Sequence, residues 1–170
     1  MNPIPHTSVQ ESIKILAWNI EGLFQKLCEP DFITLLNRYD IICLSETFVI
    51  TLDTEIFEEF DTYIAPAKRL SGHGRNSGGV ICFVRRSLRQ FIQNISCAYD
   101  NIVTLLISRE LIQTESDTLL VSVYIPPQSS PYYDSTCATD SNGITLLEDC
   151  LLDLQSQSPD CNIILCGDFK

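Results

Sequence analysis

Four apolar runs in this 170-residue chain end on a side chain able to bind or activate something. Residues 13–18 lead into Asn19, residues 40–45 into Glu46, residues 119–123 into Tyr124, and residues 162–166 into Gly167-Asp168. Short apolar runs bounded by turn-forming residues suit strands, and the last of them suits a strand buried on both faces. An asparagine, a glutamate, a tyrosine and an aspartate meeting at one sheet edge would make an all-oxygen site for a hard metal ion and a phosphate. Mg2+ takes such oxygen ligands, usually one or two carboxylates completed by water and substrate phosphate. Singly, each residue has a plainer reading. Asn19 reads as a turn residue bonding its own backbone, and Glu46 as a solvated side chain after a turn begun by Ser45 or Thr47.

The elements that must position these residues follow an α/β rhythm. A helix over residues 31–39, with Phe32, Leu35, Leu36 and Tyr39 on one face, links the first strand to the second. Residues 63–65, 80–84 and 102–108 read as further strands. Leu146, Leu147, Cys150, Leu151 and Leu154 recur at helical spacing, so residues 144–155 form a helix laid on a sheet. Residues 1–11 are expected to be a disordered lead, residues 51–61 an acidic loop, and residues 128–143 a long polar surface loop. Residues 12–170 make one domain, with neither an internal repeat nor a second domain.

A hydrophobic fraction of 45% and a charged fraction of 19% exclude a disordered chain. No apolar run reaches the roughly 18–20 residues that span a bilayer, and the N-terminus lacks the plan of a signal peptide. The expectation is a soluble intracellular protein, nuclear or cytoplasmic. Eight cysteines without a CxxC pair are then expected to be reduced thiols, and Cys43, Cys82 and Cys166 to act as small hydrophobes. A formal charge of −11 opposes indiscriminate nucleic-acid binding by the whole chain. Yet six of eleven basic residues (Lys68, Arg69, Arg75, Arg85, Arg86 and Arg89) lie in residues 68–89, which hold no acidic residue. That window could dock a polyanion at one place; equally, Arg85, Arg86 and Arg89 could be the solvated turn of a short helix. Within it, residues 69–79 form a basic, glycine-rich loop able to offer free N–H groups to an anion, or else a plain hairpin connection.

Five short motifs appear in order: Trp18-Asn19-Ile20-Glu21-Gly22-Leu23, Leu44-Ser45-Glu46-Thr47, Arg75-Asn76-Ser77-Gly78-Gly79-Val80, Val123-Tyr124-Ile125-Pro126-Pro127 and Cys166-Gly167-Asp168-Phe169. Together they resemble the endonuclease/exonuclease/phosphatase superfamily, in the flavour of the apurinic-type endonuclease domain at the front of non-LTR retrotransposon reverse transcriptases. The resemblance implies a DNase I-like α/β sandwich of two mixed sheets flanked by helices, and hydrolysis of a phosphodiester with Mg2+, Mn2+ being the alternative ion. It implies metal-site roles for Asn19, Glu46 and Glu21, an active-site role for Tyr124, and for Asp168 the orientation or deprotonation of the attacking water. The implied substrate is DNA, met through Lys68, Arg69, Arg75 and Asn76, although the superfamily also includes lipid and inositol phosphatases.

The resemblance covers about the first two-thirds of a complete domain of that kind. Lys170 stands where the family motif carries an asparagine, and the family's Ser-Asp-His motif has no counterpart. His73 belongs to the basic loop and does not replace it. The expectation is therefore a domain incomplete at its C-terminus and weak or inactive in hydrolysis. The alternative is a non-catalytic retroelement-derived domain that binds a partner or nucleic acid. An incomplete second sheet would leave an apolar face or edge exposed, through which the chain would self-associate.

Overall fold

A computed structural model describes residues 12–52, 57–70, 74–128, 130–134 and 143–169. The lead over residues 1–11, part of the acidic loop, His73, much of the polar loop before residue 143, and Lys170 lie outside the described residues. Two four-stranded sheets make the frame. The first contains β1 (Ile15–Asn19), β2 (Ile41–Ser45), β3 (Phe60–Ala65) and β4 (Val80–Arg85), in the order β1-β2-β4-β3. The second contains β5 (Ile92–Ile95), β6 (Ile102–Ile107), β7 (Thr118–Ile125) and β8 (Asn162–Phe169), in sequence order. Each sheet has one parallel pair, β1 with β2 and β7 with β8, and its other pairings are antiparallel.

Three apolar layers result. Between the sheets lie Ile41, Cys43, Val80, Cys82, Val103, Leu105 and Leu120. Alternation sends Ile42, Leu44, Ile81 and Phe83 to the other side of the first sheet, under α1 (Leu23–Lys26) and α2 (Pro30–Leu36), where they meet Leu23, Phe32 and Leu36. On the outside of the second sheet, Leu119, Val121 and Val123 meet Leu147, Cys150 and Leu154 of α5 (Gly143–Gln157). Strands covered on both faces carry nearly continuous apolar runs, and β2 and β7 are buried at every position. Two single-turn helices, α3 (Arg109–Ile112) and α4 (Pro131–Asp134), and a 3-10 helix at Arg86–Phe91 complete the elements.

Two expectations are corrected. The last run is not a strand buried on both faces. β8 pairs only with β7 and forms the edge of its sheet, so Ile163, Ile164, Leu165 and Phe169 are 39–52% exposed. The thiols are not all reduced either: Cys97, after β5, is disulfide-bonded to Cys150 of α5, with Cα atoms 6.5 Å apart. The connection after β5 packs on α5 and brings the two together. Cys43, Cys82 and Cys166 remain free thiols inside the sandwich, with the Sγ atoms of Cys43 and Cys82 3.6 Å apart. A hydrogen bond with Cys43, then burial, pushes the Cys166 thiol well up and keeps it protonated.

Candidate active site

The inner face of each sheet carries rows of side chains that begin apolar and end polar. In β1 the row is Ile15, Ala17, Asn19; in β7, Leu120, Ser122, Tyr124; in β8, Ile164, Cys166, Asp168. Because β1 and β2 run parallel, as do β7 and β8, and the two pairs face each other across the sandwich, the four C-terminal ends gather at one edge. Tyr124 and Asp168 are register partners on neighbouring strands. From the opposite sheet, Asn19 Nδ2 donates to Asp168 Oδ2 at 2.8 Å. Asn19 Oδ1 accepts from the Glu21 N–H at 3.2 Å, closing the turn that follows β1.

Glu46 reaches the site by a different device. Strand alternation alone would send the residue after Ser45 to the outer face, but Glu46 has a φ of 51°. That left-handed conformation costs a non-glycine residue about 1 kcal/mol or more. It brings a buried carboxylate against Tyr124, whose hydroxyl hydrogen-bonds to it. Burial first, then the charge and hydrogen bond of Glu46, then the charge of Asp168, push the Tyr124 phenol well above its ordinary value. It is a proton donor throughout the physiological range.

Close packing holds this edge together. Gly78 and Gly79, with φ of 72° and 88°, lie against the Tyr124 ring and Thr47; a Cβ on Gly79 would stand 2.6 Å from Thr47 Oγ1. Gly79 O accepts from Thr47 N at 3.2 Å and Gly78 O from Phe48 N at 3.0 Å, so the glycines lock the segment after Glu46. The Lys68 and Ser77 backbones bond to each other in an antiparallel bridge. This part of the glycine-rich loop is a hairpin connection, and Ser77 N–H is not offered to an anion.

The profile of the endonuclease/exonuclease/phosphatase family matches residues 16–169, nearly the whole chain. The protein belongs to that family. Solved structures with the same fold include AP endonuclease LMAP from Leishmania major (TM-score 0.62, 14% identity, covering 91% of this chain and 54% of that one). Others are the APE2 catalytic domain of Xenopus laevis (TM-score 0.55, 18% identity, 91% and 57%) and the 3' phosphatase NExo from Neisseria bound to product DNA hairpin (TM-score 0.54, 17% identity, 92% and 57%). The chain thus spans a little over half the length of these structures. No curated protein matches it in sequence.

Members of the endonuclease/exonuclease/phosphatase family typically depend on a divalent metal. The Glu46 and Asp168 carboxylates and the Asn19 amide oxygen are all hard donors, and this set fits Mg2+ or Mn2+. Among the described residues no three His, Cys, Asp or Glu side chains cluster, so an ion here would complete its shell with water and substrate phosphate. Glu21 is not drawn into the group; it is exposed, with φ of 50°, on the rim of an adjacent cleft.

The basic window divides. Arg85, Arg86 and Arg89 stand at the end of β4 away from Val80, and therefore away from the four strand ends of the candidate site. There they pair with acidic residues: Arg85 with Asp40 and Glu59, Arg86 and Arg89 with Asp61. The Arg89 hydrogen bond, with the charges of Arg89 and Arg86, holds the Asp61 carboxyl below its usual range. This cluster is a neutralised structural turn, and the expectation of a docking surface across all of residues 68–89 is corrected. Nearer the site, Lys68 Nζ pairs with Asp100 at 2.7 Å and lies 4.5 Å from the Tyr132 ring centre. Arg69 is exposed. The Arg75 guanidinium lies 4.6 Å from the Phe48 ring centre, and Asn76 Nδ2 donates to Phe48 O at 3.0 Å. Phe48 itself was not foreseen from sequence, where a lone aromatic residue after a strand reads as core.

Proposed function

We propose that this chain is a Mg2+-dependent phosphodiester hydrolase domain acting on DNA. The observation that carries this reading is the hydrogen bond joining Asn19 to Asp168 across the two sheets, beside the contact of Glu46 with Tyr124. Glu46 would hold the ion, which on binding neutralises phosphate charge and stabilises the departing oxygen. Asp168, oriented by the Asn19 amide at Oδ2, would accept a proton from water as it attacks phosphorus. A P–O bond would form to that water and the P–O bond to the leaving oxygen would break; the leaving oxygen takes a proton from solvent and Asp168 returns its proton to solvent, giving a phosphate monoester and a hydroxyl. Tyr124, held protonated, donates to a phosphate oxygen. DNA as substrate is supported by the five motifs and by Arg75 and Asn76 beside the site, and the same motifs support descent from the endonuclease domain of a non-LTR retrotransposon reverse transcriptase.

Nicking of supercoiled DNA with Mg2+ tests the site. Glu46→Ala and Asp168→Ala should each lower the rate by about 10²-fold or more, and equal activity in all three proteins would sink it. DNA binding by a wild type that does not cleave would favour the non-catalytic alternative. The exposed apolar edge of β8 supports self-association as a further part of the proposal. Sedimentation that shows a monomer at every concentration would remove it.

A further inference from the structure

Beside the four strand ends lies a cleft that the hydrolysis does not use. It holds about 220 Å3, and its lining includes Glu21, Phe24, Thr47, Phe48 and Arg75. Its two walls are the segments that follow the site residues, Glu21 to α1 after Asn19 and Thr47-Phe48 after Glu46, tied by the Leu23 N–H donating to Thr47 O at 3.0 Å. The cleft therefore adjoins, along the chain, the Asn19 and Glu46 ends of the candidate site.

Its chemistry is that of a stacking site. Phe24 is 57% exposed although Leu23, its neighbour in α1, is fully buried. Phe48, which also lines the cleft, is held in a left-handed conformation with φ of 58°, fixed by hydrogen bonds from its N–H to Gly78 O and from Asn76 Nδ2 to its carbonyl. The exposed guanidinium of Arg75 rests on that ring. Among the described residues no ion pair engages Arg75, whereas Lys68, Arg85, Arg86 and Arg89 all have carboxylate partners. The cleft is smaller than pockets for drug-sized ligands, which start near about 300 Å3, and suits one flat ring system. A phenyl face, a flat cation and a wall continuous with a phosphate-handling site match one nucleotide.

We propose that the cleft receives an unstacked nucleobase adjoining the phosphate at the site, held between Phe24 and the Phe48–Arg75 stack. The subsite rests on the nucleic-acid reading given above and sharpens it: the strand is engaged most readily where its base is unpaired, because extruding a base from a duplex carries an unstacking and unpairing cost that a single strand largely avoids. Aromatic stacking of this kind is sequence-tolerant, since every base has a π-face.

The test uses the full chain and an end-labelled single-stranded DNA oligonucleotide carrying one 2-aminopurine, alone and annealed to its complement. Anisotropy of the label reports binding, and 2-aminopurine emission reports stacking. The wild type should bind the single strand more tightly than the duplex and quench the emission. Phe24→Ala should lose the quench and weaken single-strand binding about five- to a hundred-fold, with Phe24→Trp restoring both; Phe24 is exposed, so unchanged thermal unfolding checks the fold. Wild-type binding without a change in emission, or unaltered behaviour of Phe24→Ala, overturns the subsite while leaving DNA as substrate. No binding of either oligonucleotide by the wild type overturns the nucleic-acid reading and the subsite with it.

Discussion

Asn19 and Asp168, 149 residues apart, are joined side chain to side chain at 2.8 Å and close the sandwich at the end where four strands finish. The bond uses the Asn19 amide NH2, while its oxygen faces the Glu21 N–H. Under the proposed hydrolysis, the Asn19 amide NH2 would position the Asp168 carboxylate.

A positioning role predicts a particular kinetic pattern. Asn19→Ala should lower kcat about 10- to 100-fold with little effect on KM, because Asp168 loses its orientation and not its acceptor oxygen. Asn19→Asp places a second carboxylate beside Asp168, and a like charge raises a carboxyl pKa. The acidic limb of its pH–rate profile should move to higher pH. Identical profiles in Asn19→Ala and Asn19→Asp would argue against the role.

Alkaline pH should weaken the fold. The phenols of Tyr99, Tyr124 and Tyr132 are all raised, in each case first by burial. A group whose folded value exceeds its unfolded one lends stability that is complete below the unfolded value, about 10 for tyrosine, and fades as pH rises towards the folded value. Urea unfolding between pH 9 and 11 should show falling stability, less steeply in Tyr124→Phe.

Gly167 precedes Asp168 with φ of 137°, and a Cβ there would stand 1.9 Å from the Val123 carbonyl oxygen. Gly167→Ala must push β8 off β7. A loss of about 3 kcal/mol or more is expected from strain and overpacking together, together with loss of activity. Denaturant midpoints compared with those of Asp168→Ala would separate the two effects, since Asp168→Ala should leave the midpoint nearer that of wild type.

The division of the basic window predicts that its arginines are not equivalent. Arg86→Gln with Arg89→Gln should leave DNA affinity within about twofold while releasing Asp61; Arg75→Gln should weaken binding and lower the salt dependence by about one counterion. Asp61, held below the usual carboxylate range by Arg89 first, lends stability that is present above about pH 3.9 and is lost as pH falls through its lower folded value. That acid-side contribution should vanish in the double variant, as acid titration of its unfolding would report.

The strand ends are legible because β2 and β7 are covered on both faces, so their runs are apolar but for Ser122 of β7 and stop where the polar edge begins. The apolar run of β8 looked the same, but hydrophobicity does not reveal whether a neighbouring strand exists, and this one faces solvent. The turning of Glu46 was hidden because a positive φ on a non-glycine residue leaves no mark in composition. Arg75 and Arg85 are close in sequence, yet β4 carries them to opposite ends of the first sheet, and a charge window has no sense of that distance. Phe24 and Phe48 carry no such mark in sequence, because most aromatic residues beside a strand belong to the core, and only the placement of α1 and of the segment after β2 brings both to one cleft.

The edge position of β8 has a dynamic consequence. Segments with little packing on one side open first, and they do so without global unfolding. Asp168 is carried by such a segment, whereas Glu46 directly follows the covered strand β2 and Tyr124 lies within the covered strand β7. The molecule should thus possess a minor, otherwise native form in which β8 has peeled away and Asp168 has gone with it. Warming should empty the site of chemistry before it melts the protein, and backbone amides of residues 163–169 should exchange with deuterium sooner than those of β2 or β7.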